Sequence, residues 1–353
     1  MSINIINERS IKLKKKYIIP IFVPHLGCPN DCTFCNQKKI SGQKKNVTKQ
    51  DVINTIEEYL ENINYQNQEV EVAFFGGSFT GIEIELQKEL LSAANEFVQQ
   101  GKINSIRIST RPDYINKEIL KMLKTYNVKT IELGVQSTND YILDKCKRGH
   151  SFKDVKIASK LIRKFKFNLG HQMMVGLPDS LQKDEIDTAK ALIKLHPKMV
   201  RIYPVLVIKG TQLEKDYLSG NYQPNTLEQA IETCSILLKM FNKKKIEVIR
   251  IGLQSTDEIC NPENQNSQVV AGPYHPAFRQ LVESRIYYYD ILNKVRNLNN
   301  KVSNIKVHVN SKNVNSFVGH KRENINKIKE MYNVNIHIEQ NDKVKDYEIV
   351  EVS

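Results

Sequence analysis

The chain switches repeatedly between short apolar runs and stretches with helical spacing. Tyr17–Val23 is a continuous apolar run, and Glu69–Phe75 alternates before turning fully apolar, as a buried strand does. Asn104–Thr110, Thr130–Val135, Lys166–Met174, Met199–Val205 and Glu247–Ile251 read the same way. Helical patterns separate them at 48–62, 83–100, 114–126, 152–165, 181–195 and 225–241; Val52, Ile53, Ile56, Tyr59 and Leu60 carry the first. Strand–helix alternation predicts parallel strands joined by right-handed crossovers. Six or seven units over roughly 240 residues predict a full or partial α/β barrel. Such folds carry chemistry on the loops after the C-terminal strand ends. The unusual residues fall there: Cys28–Cys35, Gly76-Gly77-Ser78, Ser109-Thr110-Arg111 and Gln136-Ser137.

The rhythm breaks near Asp257, and the polar, turn-rich Asn261–Ser267 marks a boundary. A loop and helix follow in AGPYHPAFRQLVESRIYYYDIL, where Tyr287, Tyr288 and Tyr289 read as a packing face. Beyond residue 300 the pattern predicts strand Asn304–Val309, short helix Val314–Phe317, helix Asn324–Met331 and strand Asn333–Glu339. The expected division is 1–260, a connecting loop and helix at 261–300, and a small α+β unit at 301–353.

Among 353 residues, 40% are hydrophobic, enough for a packed core. No stretch reaches the ~18 apolar residues of a spanning helix. The first residues show no apolar leader with a cleavage site. A cytoplasmic protein with no membrane association is expected. The net charge is +13, and residues 1–50 hold nine Lys and one Arg against Glu8 and Asp31. That balance suits a polyanion through phosphate neutralisation, or merely solubilises the chain. Cys28, Cys32 and Cys35 are clustered; Cys146, Cys234 and Cys260 are scattered and read as core thiols. A leaderless chain of this size argues against a disulfide framework.

The spacing Cys28-x3-Cys32-x2-Cys35 supplies three thiolates. They can hold three irons of a cubane cluster and leave the fourth iron open. Zinc would need a fourth ligand, which His25 could supply. With aromatic Phe34 before the last cysteine, and its place after the first strand, the motif resembles the signature of the radical S-adenosylmethionine (SAM) superfamily. The resemblance implies a partial (α/β)6-type barrel, a 4Fe–4S cluster on Cys28, Cys32 and Cys35, and SAM chelating the open iron. It also implies reductive cleavage of SAM to a 5′-deoxyadenosyl radical, with a reductant such as flavodoxin or ferredoxin. The cofactor carries the hard step and the protein orients it.

Other residues follow from the same resemblance. Gly76 and Gly77 resemble the family's Gly-Gly-Glu segment, with Ser78 in place of the glutamate. Ser109 and Thr110 fit polar contacts to SAM, Gln136 the ribose, Arg148 the methionine carboxylate, and Gln172 the adenosine-side strand. The strings STRPDYI, IELGVQS, RGHSFKD and RIYPVLVIKGTQL resemble the radical SAM region of the Elongator catalytic subunit, which modifies wobble uridine in transfer RNA. The acetyltransferase-like domain of that subunit does not follow here, and the tail reads differently.

NSFVGHKRENINKIKEMYNVNIHI resembles a KH domain, which clamps about four nucleotides of backbone on a Gly-x-x-Gly loop. Gly319, His320, Lys321 and Arg322 form that loop, with Arg322 where the second glycine stands. The expectation is a radical SAM enzyme acting on RNA, most plausibly transfer RNA. The rivals are a radical SAM enzyme acting on a small molecule such as a tetrapyrrole, and an RNA-binding protein whose cluster is structural or redox-sensing. His275 and Arg279 are further candidates at the barrel mouth. No P-loop, dinucleotide loop or zincin motif occurs.

Overall fold

The structure, a computed structural model, describes residues 16–23, 32–36, 47–256, 259–298 and 302–353. Cys28 and His25 lie outside the described residues.

Seven parallel strands form one curled sheet with helices on its outer side. In chain order the elements are β1 Lys16–Val23, α1 Lys49–Glu61, β2 Glu69–Gly76, α2 Ile84–Gln99, β3 Ser105–Thr110, α3 Lys117–Thr125 and β4 Val128–Gln136. Then come α4 Asp140–Lys145, α5 Phe152–Lys164, β5 Asn168–Val175, α6 Gln182–Lys194, β6 Met199–Pro204, β7 Val207–Ile208 and α7 Gln212–Leu218. The barrel ends with α8 Leu227–Lys243, β8 Glu247–Ile251 and β9 Val269–Ala271. The sheet order is β1-β2-β3-β4-β5-β6-β8, so neighbours in sequence are neighbours in space. β7 and β9 make a separate antiparallel pair.

Period-two alternation gives each strand two different faces. Val70, Val72, Phe74, Ile106, Ile108, Ile131 and Leu133 point outward and are fully buried against the helices. Each such side chain contributes roughly 1.5–3 kcal/mol on burial. The alternate positions, Glu71, Arg107, Glu132, Gln172 and Arg201, point to the concave side and bond to one another there. Capping fixes several helix starts: Thr48 accepts from the Asp51 amide and Ser151 from the Asp154 amide, each in a reciprocal capping box.

The remaining elements are α9 Phe278–Arg296, β10 Asn304–Val309, α10 Val314–Val318, α11 Glu323–Tyr332, β11 Asn335–Gln340 and β12 Tyr347–Val352. β10 is the centre of a mixed sheet, parallel to β11 and antiparallel to β12. Phe278 and Val282 of α9 belong to the barrel core, whereas Ile291 and Val295 belong to the core of the small sheet. One helix thus serves both units.

The observed strands and long helices match the expected pattern. α4, α7, β7, β9 and β12 were not expected. The first four are short, with too few residues to establish a period. β12 alternates as YEIVEV, but it is a largely exposed edge strand. No helix among the described residues is long and apolar enough to cross a membrane.

Candidate functional site

Polar groups stand at the C-terminal ends of β2 to β5, and the loop after β4 carries Arg148 to the Cys32 turn. The Cys35 amide donates to Cys32 O at 3.0 Å, which folds the two thiols onto one turn. Neighbouring loops clamp that turn: the Thr33 amide donates to Cys146 O at 3.2 Å, and the Leu213 amide to Thr33 O at 2.8 Å. Phe34 is buried beneath it with Ile142, Leu177, Val205 and Leu213.

Arg148 crosses from α4's end to this turn. Its Nη1 donates to Cys32 Sγ at 3.3 Å and its Nη2 to Gly134 O at 2.8 Å. A Cβ on Gly134 would meet Arg148 Nη2 at 2.7 Å and Gln136 Nε2 at 3.1 Å, so a side chain there would displace both polar groups. Gln136 ends β4 in the left-handed region (φ 69°), after a register shift against β5. A non-glycine residue in that region is sterically unusual and points to a constrained site. Gln136 Oε1 and Arg148 Nε are buried with no protein hydrogen-bond partner among the described residues. Unsatisfied buried polar atoms are costly, on the order of 1–3 kcal/mol each. An acceptor and a cationic donor left open beside a cysteine turn fit a polar, zwitterionic ligand and a thiolate-bound cluster. SAM and an iron–sulfur cluster have that chemistry.

Gly76 and Gly77 meet β1. Gly76 has φ 114°, and a Cβ there would lie 2.5 Å from Val23 O. The Gly77 amide donates to that same carbonyl at 3.2 Å. The close approach that demands glycine at position 76 is therefore to the protein's own backbone. Ser78 is buried, with its Oγ 2.8 Å from Thr110 Oγ1 and accepting from the Arg111 amide at 3.2 Å. It ties the ends of β2 and β3 together. Ser109 Oγ accepts from Gln172 Nε2 at 3.3 Å, and Gln172 also donates to Glu132 Oε2 at 3.1 Å.

Gln172 leads to a network that sequence reasoning missed. Arg107 donates through Nε (2.9 Å) and Nη2 (2.6 Å) to Glu71 Oε2, and through Nη1 to Glu132 Oε1 (2.5 Å). Arg201 grips Glu132 through Nε (2.5 Å) and Nη2 (3.0 Å), and its guanidinium lies 5.0 Å from the Phe75 ring centre. Burial pushes the Glu132 carboxyl up, but Arg201 and Arg107 outweigh it and hold the carboxyl below its ordinary value. The available signal was a single charge at a mid-strand inward position of a mostly apolar strand, in each of β2, β3, β4 and β6.

Two other neighbours were unforeseen. Cys146 packs with Cys32 and Phe34, and burial pushes its thiol up to about 12, so it stays neutral. His150 Nε2 sits 3.3 Å from Val135 O, and burial with nearby Arg148 lowers it to about 4. Cys234 is a fully buried core thiol.

The Gly319–Arg322 loop lies apart from the cysteines, at the start of α11. Gly319 has φ 80°, and Lys321 (φ 49°) and Arg322 (φ 62°) are both left-handed. The position that resembles the second glycine thus keeps a glycine-like backbone despite its side chain. His320, Lys321 and Arg322 are exposed.

Comparisons with known proteins agree with this architecture. Residues 22–192 match the radical SAM superfamily, residues 197–288 a radical SAM C-terminal domain, and residues 304–353 the KH domain. A tRNA uridine(34) acetyltransferase of Methanocaldococcus infernus is 36% identical over 203 residues, covering 50% of this chain. The match spans only 37% of that relative's length. An uncharacterized protein of Methanocaldococcus jannaschii is 32% identical over 231 residues, covering 61% of this chain and 70% of its own. The solved structure of the archaeal Elp3 of Methanocaldococcus infernus, with an N-terminal deletion, superposes with a TM-score of 0.60 at 25% identity. It covers 80% of this chain and 63% of that one. The superfamily is one of enzymes that use a 4Fe–4S cluster and SAM. A parallel sheet, a cysteine turn at its C-terminal rim and these matches together place the chain in the radical SAM superfamily, with a KH domain at its C-terminal end.

Proposed function

We propose that this enzyme modifies RNA, with a transfer RNA base as its substrate. Cys28, Cys32 and Cys35 hold the cluster. Gly76, Gly77, Ser78, Ser109, Gln136, Arg148 and Gln172 form the wall that receives SAM, with Phe34 packed behind the cysteine turn. Held there, the cluster and SAM would supply the reducing and radical-generating chemistry of the superfamily.

The chain's own part is orientation and exclusion. Arg148 donates to the Cys32 sulfur, which holds that ligand in place. Its open Nε and the open Oε1 of Gln136 offer a donor and an acceptor to the amino-acid and ribose ends of SAM. Phe34, Leu177 and Val205 keep water from one side. Gly319, His320, Lys321 and Arg322 clamp the RNA backbone. The domain division at 260 and 300 belongs to the same reading, as do a flavodoxin- or ferredoxin-type reductant and a cytoplasmic setting.

One observation carries the RNA reading: a basic KH loop is fastened to α9, the same helix that packs on the barrel. The test is anaerobic reconstitution with iron and sulfide, reduction in the presence of SAM, and measurement of 5′-deoxyadenosine with and without bulk transfer RNA. Formation that rises with RNA is expected. Formation indifferent to RNA points to a small-molecule substrate and overturns the RNA assignment. No formation despite an intact cluster overturns the catalytic reading.

A further inference from the structure

The KH loop and the C-terminal end of β8 are held by one helix, α9. Phe278, at the start of that helix, lies 3.3 Å from where a Cβ on Gly252 would stand, just past the end of β8. Arg279 Nη1 donates to Val248 O at 2.8 Å. One to two turns further on, the KH loop is bolted to the same helix. Asn324 Nδ2 donates to Ser284 Oγ at 3.0 Å, Ser284 O at 3.1 Å and Phe317 O at 3.0 Å. Gly319 packs on Asn324, where a Cβ would lie 3.0 Å from its Cγ. The loop is therefore held in fixed register to the C-terminal end of β8.

Across the junction, the rings of His320 and His275 stand 6.3 Å apart, edge to face. The Ala277 amide donates to His275 Nδ1 at 3.1 Å, so the neutral ring carries its proton on Nε2 and presents a donor. Beside it, Tyr274 bonds Ser255 at 2.9 Å, which anchors this segment to the chain leaving β8. Arg250 of β8 then lies on the concave side, within the field of Arg201, Arg279 and Tyr203. Arg107 and Arg201 are matched by Glu71 and Glu132. Arg250 bonds the neutral Gln254 Oε1 at 3.2 Å, and Tyr203 and the Glu132 carboxylate act on its charge from farther off. Among the described residues no carboxylate pairs with Arg250, Lys321 or Arg322.

We infer that this stripe is a guide for single-stranded RNA backbone, running from Lys321 and Arg322 past His320 and His275 to Arg250 inside the barrel. The inference rests on the RNA reading above and adds the path and its inner anchor. A KH loop alone engages about four nucleotides. The stripe extends the footprint beyond them, and Arg250 takes a phosphate, or another anionic edge, of a nucleotide that has passed the junction. Cations without a carboxylate partner, two exposed and one half-buried, attract such a group and hold it by charge-assisted hydrogen bonds.

The test uses the full chain and fluorescein-labelled oligouridylates of 4 and 12 nucleotides, with anisotropy titrations across a salt series. The wild type is expected to bind the longer probe more tightly and with a steeper salt dependence. Arg250→Gln should weaken the 12-mer by about tenfold, the loss of one charge-assisted hydrogen bond. It should also flatten the 12-mer's log–log salt slope by about 0.7, one phosphate contact on a single strand. Binding of the 4-mer should not change, which also reports that the variant is folded. Lys321→Gln should weaken both probes. Equal wild-type affinity for both lengths, or an Arg250→Gln effect that is absent or equal on both, overturns the guide while leaving the KH loop as an RNA clamp. Failure of both probes to bind the wild type overturns the RNA reading itself.

Discussion

The two faces of the central sheet bury similar amounts of side chain by opposite means. Outward, Val72, Phe74, Ile108 and Ile131 sink into helix packing and need no particular partner. Inward, Glu71, Arg107, Glu132 and Arg201 are equally hidden, but each depends on named atoms of strands distant in sequence. Apolar burial stabilises almost any arrangement of about the right volume. Buried charge is stable only when every charge is matched, and replacing it by apolar groups is often neutral or favourable. The outer face therefore makes the fold. The inner face has a cost that stability alone does not explain, and through Gln172 it reaches Ser109 near the C-terminal end of β3.

The largest expected effects attack each face separately. Phe74→Ala should cost about 3–5 kcal/mol through a cavity in the outer packing. Glu132→Ala should cost a similar 3–5 kcal/mol, because Arg107 and Arg201 are left buried without a counter-charge. Urea unfolding measures both. The contrast sharpens when the whole inner quartet of Glu71, Arg107, Glu132 and Arg201 becomes Met or Leu. Stability should then be unchanged or raised by about 1–4 kcal/mol, while RNA-stimulated SAM cleavage is lost. A large loss of stability in that variant would mean that the charges hold the sheet together after all.

A pH dependence separates the faces further. Burial opposes ionisation of Glu132, but its two arginines win and its folded pKa lies below the unfolded value. Its contribution to stability is therefore complete above the ordinary glutamate range near ~4.3, and it is lost as pH falls through the depressed folded value. Unfolding free energy measured from pH 7 down to acid should drop less steeply in Glu132→Gln than in the wild type. The outer-face variant Ile108→Val should follow the wild-type slope.

Smaller effects concern the rim. Arg148→Lys keeps the charge but loses the planar fork that reaches Cys32 Sγ and Gly134 O together. SAM cleavage should fall about tenfold, the scale of one charge-assisted hydrogen bond. Iron retention after desalting should fall with it, and the urea midpoint should move little. Smallest of all, Lys321→Gln changes an exposed side chain. It should leave the melting temperature unaltered and reduce the salt slope of RNA binding by about 0.7.

What the sequence made legible follows from this contrast. Period two and period 3.6 announce the outer face, because apolar packing needs only the right residue type at the right spacing. The cysteine motif, the glycine pair and Gln136 are legible because they are local. The inner network is not: Arg201 reaches Glu132 across 69 residues and Arg107 reaches Glu71 across 36, and only the sheet order brings them together. Cys146 has no ligand spacing, and its place beside Cys32 depends on how α4 returns to the rim. The need for glycine at position 76 comes from Val23 O, a contact with the neighbouring strand that spacing does not reveal. In the KH loop, Arg322 stands where the pattern has glycine, and its backbone adopts the left-handed conformation regardless.

The most direct test of the central claim is a nucleoside mass profile of transfer RNA. The RNA is incubated anaerobically with the reconstituted enzyme, SAM and a reductant, then digested to nucleosides. The account predicts a nucleoside of new mass that requires all three components and disappears in Cys32→Ala. An unchanged profile, obtained while SAM is being cleaved, would contradict it.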